Sequence, residues 1–297
     1  MLKRAFIFLA VFVSLAVRGV ETNSFLITTL NCYFFFGGAV TKREFNQPRT
    51  SEDYWKKASN LVSLLPSEAP LLIGLQEMGH AREVTNFARI AAARYKCGYL
   101  PLFVSGKDTF TEQNVAALLR MGTGWGLADL PGRDAGLDAS LSKHLVLHLT
   151  NMTSSLEVCV VHLRRAVGRS GPKKQKTQDE ALWLWAKKRF QQNTNANLVI
   201  FGDFNETKPP GDSAQGVAVL LQPGSPLHDA FEFSKGIVRT HANGNAYDRI
   251  LISDSVVKGS AGLKFVGISV HEHDKGKGAD RLWFTDHFPV TARLISY

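Results

Sequence analysis

The chain is short of cysteine, of acid and of long apolar runs, and each shortage removes a class of protein. Three cysteines, Cys32, Cys97 and Cys159, are too few and too widely spaced for a disulfide scaffold or a thiolate zinc site. Cys32 and Cys159 stand inside apolar runs, where they read as small buried hydrophobes, with a single bridge as the alternative. Beyond the first twenty positions no apolar run approaches the ~20 residues that span a bilayer. No sequence period of about 20 to 50 residues recurs, which excludes solenoids and propellers. Glycine and proline, at 25 and 11, are too sparse for collagen-like or low-complexity chain. Gly122, Gly124 and Gly126 read as a turn and not as a phosphate cradle, because no helix start follows them. Acidic residues number 26 against 35 basic ones, and the resulting +9 favours anionic partners: nucleic acid, phosphorylated substrates or an acidic membrane surface.

What is present is a chain with 44% hydrophobic and 10% aromatic residues, enough to bury the core of one catalytic-size domain. Its start has the form of an export signal: Lys3 and Arg4, then an apolar run from Ala5 to Val17, with Val17 and Gly19 small enough to flank a cleavage site. Residues 1–19 are therefore expected to be a removed secretory signal and 20–297 the domain, with secretion as the destination; an uncleaved membrane anchor is the alternative reading. Such a cut removes Lys3, Arg4 and Arg18 and no acid, so the mature chain stays basic. Asn151-Met152-Thr153 is a glycosylation sequon for a eukaryotic source.

Eight apolar runs read as buried strands: Phe25 to Leu30, Leu71 to Leu75, Val115 to Leu119, Leu145 to Leu149, Leu156 to Val161, Leu198 to Phe201, Arg249 to Ile252 and Val290 to Leu294. Asp53 to Leu65 and Asp179 to Phe190 carry apolar residues at helical spacing. The pattern predicts mixed sheets packed on each other with helices outside.

Several runs end on a polar residue able to do chemistry, which is where a sheet presents side chains to a cleft. Asn31, Glu77, His162 and the pair Asp203 and Asn205 occupy such ends. In Gly202-Asp203-Phe204-Asn205 alternation sends Asp203 and Asn205 to one face and Phe204 to the core. A carboxylate can take a proton from water while an amide two residues on holds that water or a phosphate oxygen. Asn114 precedes another run and reads equally as cleft wall or turn. Arg164, Arg165, Arg169, Lys173, Lys174 and Lys176 read as a solvated charged loop or as a track for a phosphate backbone. His271-Glu272-His273-Asp274 has the look of a metal tract without further ligands at useful spacing. Tyr33 to Phe36 reads as core or cleft wall.

Six short motifs stand in one order: Leu30-Asn31-Cys32, Leu75-Gln76-Glu77, Val161-His162-Leu163, Gly202-Asp203-Phe204-Asn205, Tyr247-Asp248-Arg249-Ile250-Leu251 and Thr285-Asp286-His287-Phe288-Pro289-Val290. In that order they resemble the endonuclease/exonuclease/phosphatase superfamily, from about Ser24 to Leu294. The resemblance implies an α+β fold, a four-layer α/β/β/α sandwich of two packed mixed β-sheets flanked by helices. It also implies a site at one edge of the sheets that works with Mg2+ or Mn2+. Glu77 would be the principal metal ligand, with Asn31 and Asp286 completing the shell. Asp203 would take the water proton, Asn205 would orient water or phosphate, and His287, held by Asp248, would bind phosphate or transfer a proton. His162 would be a phosphate contact or general acid. Apart from the resemblance, Arg164 of the basic segment and Asn114 at its run's start are the candidate substrate contacts. The function implied is a secreted, metal-dependent phosphodiesterase, foremost a deoxyribonuclease-like endonuclease on nucleic acid. The alternatives are a phosphatase or sphingomyelinase-like lipid hydrolase on the same scaffold, and a non-catalytic secreted binding module. Ala246-Tyr247 before Asp248, where inositol 5-phosphatases carry Trp-Cys, argues against that branch.

Overall fold

The computed structural model describes residues 23–35, 50–206, 217–235, 238–273 and 285–297. The expected signal segment, Phe36, and the loops expected at Pro209 to Asp212 and Asp274 to Gly278 lie outside the described residues. Along the chain the elements are β1 (Asn23–Phe35), α1 (Ser51–Leu64), β2 (Leu72–Met78), α2 (Ala81–Tyr95), β3 (Tyr99–Phe103) and β4 (Asn114–Arg120). There follow β5 (Gly126–Leu127), α3 (Ala135–Asp138), β6 (His144–Thr150), β7 (Ser155–His162), α4 (Gly171–Gln192) and β8 (Leu198–Asp203). The remainder is α5 (Val217–Leu220), β9 (Leu227–Asp229), β10 (Asp248–Ser253), α6 (Asp254–Lys258), β11 (Leu263–Val270) and β12 (Val290–Ser296).

Among the described residues twelve strands form two six-stranded sheets, in the orders β11-β12-β1-β2-β4-β3 and β5-β6-β7-β8-β10-β9. Each is mixed: β1 runs parallel to β2, and β7 to β8, while the other pairs are antiparallel. Side-chain parity sorts the layers. Phe25, Ile27, Val158, Val160, Val199, Phe201, Ile250 and Ile252 meet between the sheets. The opposite parity of β1, β2 and β4 (Leu30, Ile73, Leu75, Leu118) receives Leu61, Val62, Val84 and Phe87 of α1 and α2. Cys159, Val161, Leu198, Ile200 and Leu251 receive Leu182, Trp185 and Phe190 of α4. The result is the four-layer α/β/β/α sandwich. At Gly74 the sheets approach so closely that a Cβ would lie 2.1 Å from a Phe201 ring carbon.

The eight strands read from the sequence are all present, and α1 starts two positions before Asp53: the Thr50 hydroxyl accepts from the Asp53 N–H at 3.1 Å, with Glu52 and Asp53 beside the positive helix end. α4 starts eight positions before Asp179, at Gly171, so Lys173, Lys174 and Lys176 sit on its first turns and not in a loop. Its early buried face is made of Gln175 and Gln178, which hides the apolar period there. The strands β3, β5, β9 and β11 and the helix α2 carry no matching expectation. All three cysteines are free thiols, and burial pushes those of Cys32 and Cys159 far up. Among the described residues no helix is long and apolar enough to cross a membrane.

Candidate active site

Parallel pairing brings strand ends together. β1 and β2 finish at one edge of their sheet, β7 and β8 at the same edge of theirs, and β10, antiparallel to β8, begins there. Asp203 is the cross-strand partner of both His162 and Asp248, so three motifs become neighbours by register alone. Gly202 makes this possible. Its φ is 142°, and a Cβ there would lie 2.0 Å from the Val161 carbonyl oxygen, so only glycine lets β8 lie against β7. The neighbour that needs this space is backbone, not ligand.

The first sheet reaches the site through irregular backbone. The β1–β2 register shifts between Asn31 and Phe35, and Tyr33, Phe34 and Glu77 adopt left-handed φ values of 48°, 52° and 59°. Non-glycine residues take that region at a cost, and such strain gathers at functional sites. Here it turns Glu77 out of strand alternation, where its Oε2 accepts the Phe34 N–H at 2.9 Å. The Asn31 amide donates to Glu77 Oε1 at 3.2 Å and to Asp203 Oδ2 at 2.9 Å, tying the two sheets. The Asn31 Oδ1 accepts from the Tyr33 N–H at 2.9 Å.

His287 Nδ1 lies 2.8 Å from Asp248 Oδ2, the pairing expected from the sequence. Its Nε2 faces Asp203 Oδ2 and Asp286 Oδ1, each 3.9 Å away. Arg249 does not compete for Asp248: strand alternation sends it to the other face, where it meets Asp229 at 3.0 Å. Asp286 groups with His287 and His241, and not with Glu77. Sequence reasoning missed His241. The Asn243 N–H donates to its Nδ1 at 3.0 Å, which leaves Nε2 protonated toward Asp286 Oδ2, also at 3.0 Å. Its ring crosses that of His287 edge-on, with centroids 4.7 Å apart.

These side chains line a cleft of about 400 Å3 whose walls include Tyr33, Phe34, Phe110 and Tyr247 and whose rim carries Lys143, Arg164 and Arg165. Arg164 is exposed there. Asn205 lines the cleft, but its amide donates to the Leu163 carbonyl at 2.9 Å and its N–H to Asp203 Oδ1 at 2.7 Å. Asn114 is turned away from the cleft. It bonds the Gly79 carbonyl and the Gly106 N–H, so it ties loops and is not placed to touch substrate. In the 271–274 tract His271 pairs with Thr291, Glu272 with Arg239 and His273 with the His287 carbonyl, so the three side chains diverge.

The sequence profile of the Endonuclease/Exonuclease/phosphatase family matches residues 28–287. The chain belongs to that family. Family members are metal-dependent phosphoric ester hydrolases, and so is this enzyme in class. Solved structures of similar fold include a family protein from Bacteroides thetaiotaomicron (13% identity, TM-score 0.60, 93% of this chain and 99% of that one). D. rerio TDP2 complexed with a single-strand DNA product is another (16% identity, TM-score 0.60, 91% and 98%). The human Nocturnin catalytic domain with a bound sulfate is a third (16% identity, TM-score 0.59, 91% and 94%). No curated protein sequence matches the chain.

The divalent cation this family uses has a fitting set of donors. Carboxylate oxygens of Glu77 and Asp203 and a ring nitrogen of His162 lie within 4.8 Å of one another, all buried. His162 Nε2 is 3.6 Å from Asp203 Oδ2 and 3.8 Å from Glu77 Oε1. Buried carboxylates gathered this closely need a cation or protons. Burial raises the Asp203 carboxyl well above its ordinary range, Asp248 and Glu77 add to the rise, and His287 opposes it. Burial works against a charged His287, yet Asp248, then Asp203 and Asp286, raise it far above an ordinary imidazole. Burial, with Lys143 and His287 as like charges, holds His162 well below it. Burial disfavours a charged Asp286 too, but His241 and His287 keep that carboxyl low. Below the cleft Lys57 is wholly buried, and desolvation lowers its amine to about 8 against the pull of Cys32, Glu77 and Asp286.

Proposed function

We propose that this family member is an exported, Mg2+- or Mn2+-dependent phosphodiesterase that cuts nucleic acid in the manner of a deoxyribonuclease-like endonuclease. The observation that carries the reading is the buried group of Glu77, His162, Asp203 and His287, with Asp248 behind His287, at the floor of a cleft rimmed by Lys143, Arg164 and Arg165. A rim of guanidinium and ammonium groups suits a polyanion whose phosphates continue on either side of the one being cut. D. rerio TDP2, similar in fold, holds a single-strand DNA product, which favours nucleic acid among phosphodiesters. Export rests on the leader-like Met1 to Gly19 segment.

Glu77 and His162 would hold the cation, with the Asn31 amide N–H groups steadying the Glu77 and Asp203 carboxylates beside it, and the cation's charge on the phosphate oxygens would ease attack and departure. The remaining work falls to the chain. Asp203, with its raised carboxyl, accepts the proton of the attacking water as the new oxygen–phosphorus bond forms and the bond to the leaving oxygen breaks. His287, charged through Asp248, donates from Nε2 to a phosphate oxygen and stabilises the negative charge of the transition state. His162 is neutral at neutral pH, which fits a phosphate or cation contact better than a general acid.

Relaxation of supercoiled plasmid tests the proposal. The chain should nick it with Mg2+ or Mn2+, stop with EDTA, and lose activity in Asp203→Ala without loss of fold. Hydrolysis of a simple phosphodiester without plasmid nicking would move the substrate to lipid or small phosphoesters.

A further inference from the structure

α1 buries one stripe, made of Tyr54, Lys57, Ala58, Leu61 and Val62. A lysine on that stripe is out of place by its chemistry. Lys57 is 0% exposed and ranks among the largest wholly buried side chains, although an ammonium loses much hydration on entering a core. Its Nζ donates to the Tyr33 carbonyl oxygen and lies 5.7 Å from the Tyr33 ring centroid. Tyr33 is the first of two consecutive left-handed residues, and their N–H groups are the ones that hold Asn31 Oδ1 and Glu77 Oε2. Two such residues in a row are strained and would relax toward extended backbone if nothing restrained them. That relaxation would withdraw the Phe34 N–H from Glu77.

We propose that Lys57 is a positioning residue of the active site: by gripping the Tyr33 carbonyl from the helix layer it locks the Tyr33–Phe34 turn, which in turn aims the Glu77 carboxylate for the divalent cation. The inference rests on reading Glu77 as a cation ligand. It gives the buried amine a purpose that packing alone does not, since methionine would fill the same space without the desolvation cost.

The test is Mn2+ titration by calorimetry of the metal-stripped full chain, with circular dichroism as the control for fold. The variants are Lys57→Met, Lys57→Gln and Glu77→Gln. Lys57→Met should keep the fold and bind Mn2+ at least about tenfold more weakly, in proportion to the loss seen when groups behind a metal ligand are removed. Lys57→Gln retains an N–H donor and should recover part of that loss. In turnover, the half-saturating Mn2+ concentration should rise more than the rate at saturation falls. Wild-type Mn2+ affinity in a folded Lys57→Met variant, beside a weakened Glu77→Gln, would overturn the proposal alone. Failure of both Lys57 variants to fold would assign the amine to the core and overturn it as well. Undiminished binding by Glu77→Gln would remove the cation reading of Glu77 and the proposal with it.

Discussion

Asp203 and Gly202 are neighbours with unlike constraints. Asp203 can lose its carboxyl with little harm to packing, because the group faces the cleft. Gly202 cannot gain even a methyl. Its φ of 142° and the Val161 carbonyl oxygen, 2.0 Å from where a Cβ would stand, leave no room, so Gly202→Ala should cost about 2–4 kcal/mol from strain and overpacking. A urea midpoint unchanged in that variant would refute this account of the β7–β8 contact. The strand-end pattern made Asn31, Glu77, His162 and Asp203 legible in the sequence, because strands buried on both faces leave a polar residue conspicuous at the tip. His241 left no such trace. It sits in a turn closed by Asn243 and Asn245, and its partner Asp286 is far along the chain. Lys57 was hidden for a different reason: helical periodicity counts lysine as solvent face, and only the packed structure reveals it on the buried stripe.

At the scale of elements, β10 carries two functions on alternate faces. Asp248 serves the cleft, and Arg249 reaches the opposite side to pair with Asp229 at the end of β9, both being wholly buried. Burial raises the Asp229 carboxyl, and the Arg249 guanidinium opposes that rise. Asp229→Ala should therefore destabilise by about 3–5 kcal/mol, since it removes the carboxylate partner of a buried guanidinium, whereas the double change Asp229→Leu with Arg249→Met should recover most of the loss. Denaturation of the two variants decides this. A single variant as stable as wild type would mean that the pair contributes nothing. Elements that went unread share a cause: their apolar signal is dilute. α2 buries Val84 and Phe87, and otherwise Glu83 and alanines. β3 contains Pro101, and β11, at a sheet edge, exposes Lys264 and Val266 and bends at Gly267. Central strands, covered on both faces, announce themselves; edge strands and alanine-faced helices depend on neighbours for their identity.

The whole molecule should feel acid through His144 as well as through its carboxylates. This imidazole is wholly buried at the start of β6, and burial lowers it to about 4. An unfolded histidine binds its proton near 6.5, so between those values the unfolded chain holds a proton that the folded one refuses. Stability is then complete above about pH 6.5 and declines as pH falls toward 4, by about 2 kcal/mol at pH 5. His144→Gln should flatten that part of the curve, and a variant whose urea midpoint falls as steeply as wild type between pH 7 and 5 would assign the slope elsewhere. A different consequence follows from the pairing of β1 with β12. Thr28 and Thr291 touch across 263 positions of sequence, and Asp286 and His287 stand just ahead of β12. During synthesis, Glu77 and Asp203 therefore exist for many seconds before the imidazole that completes their cleft has been made. If turnover needs that imidazole, hydrolytic power should arrive only as β12 docks on β1, as a single late event of assembly.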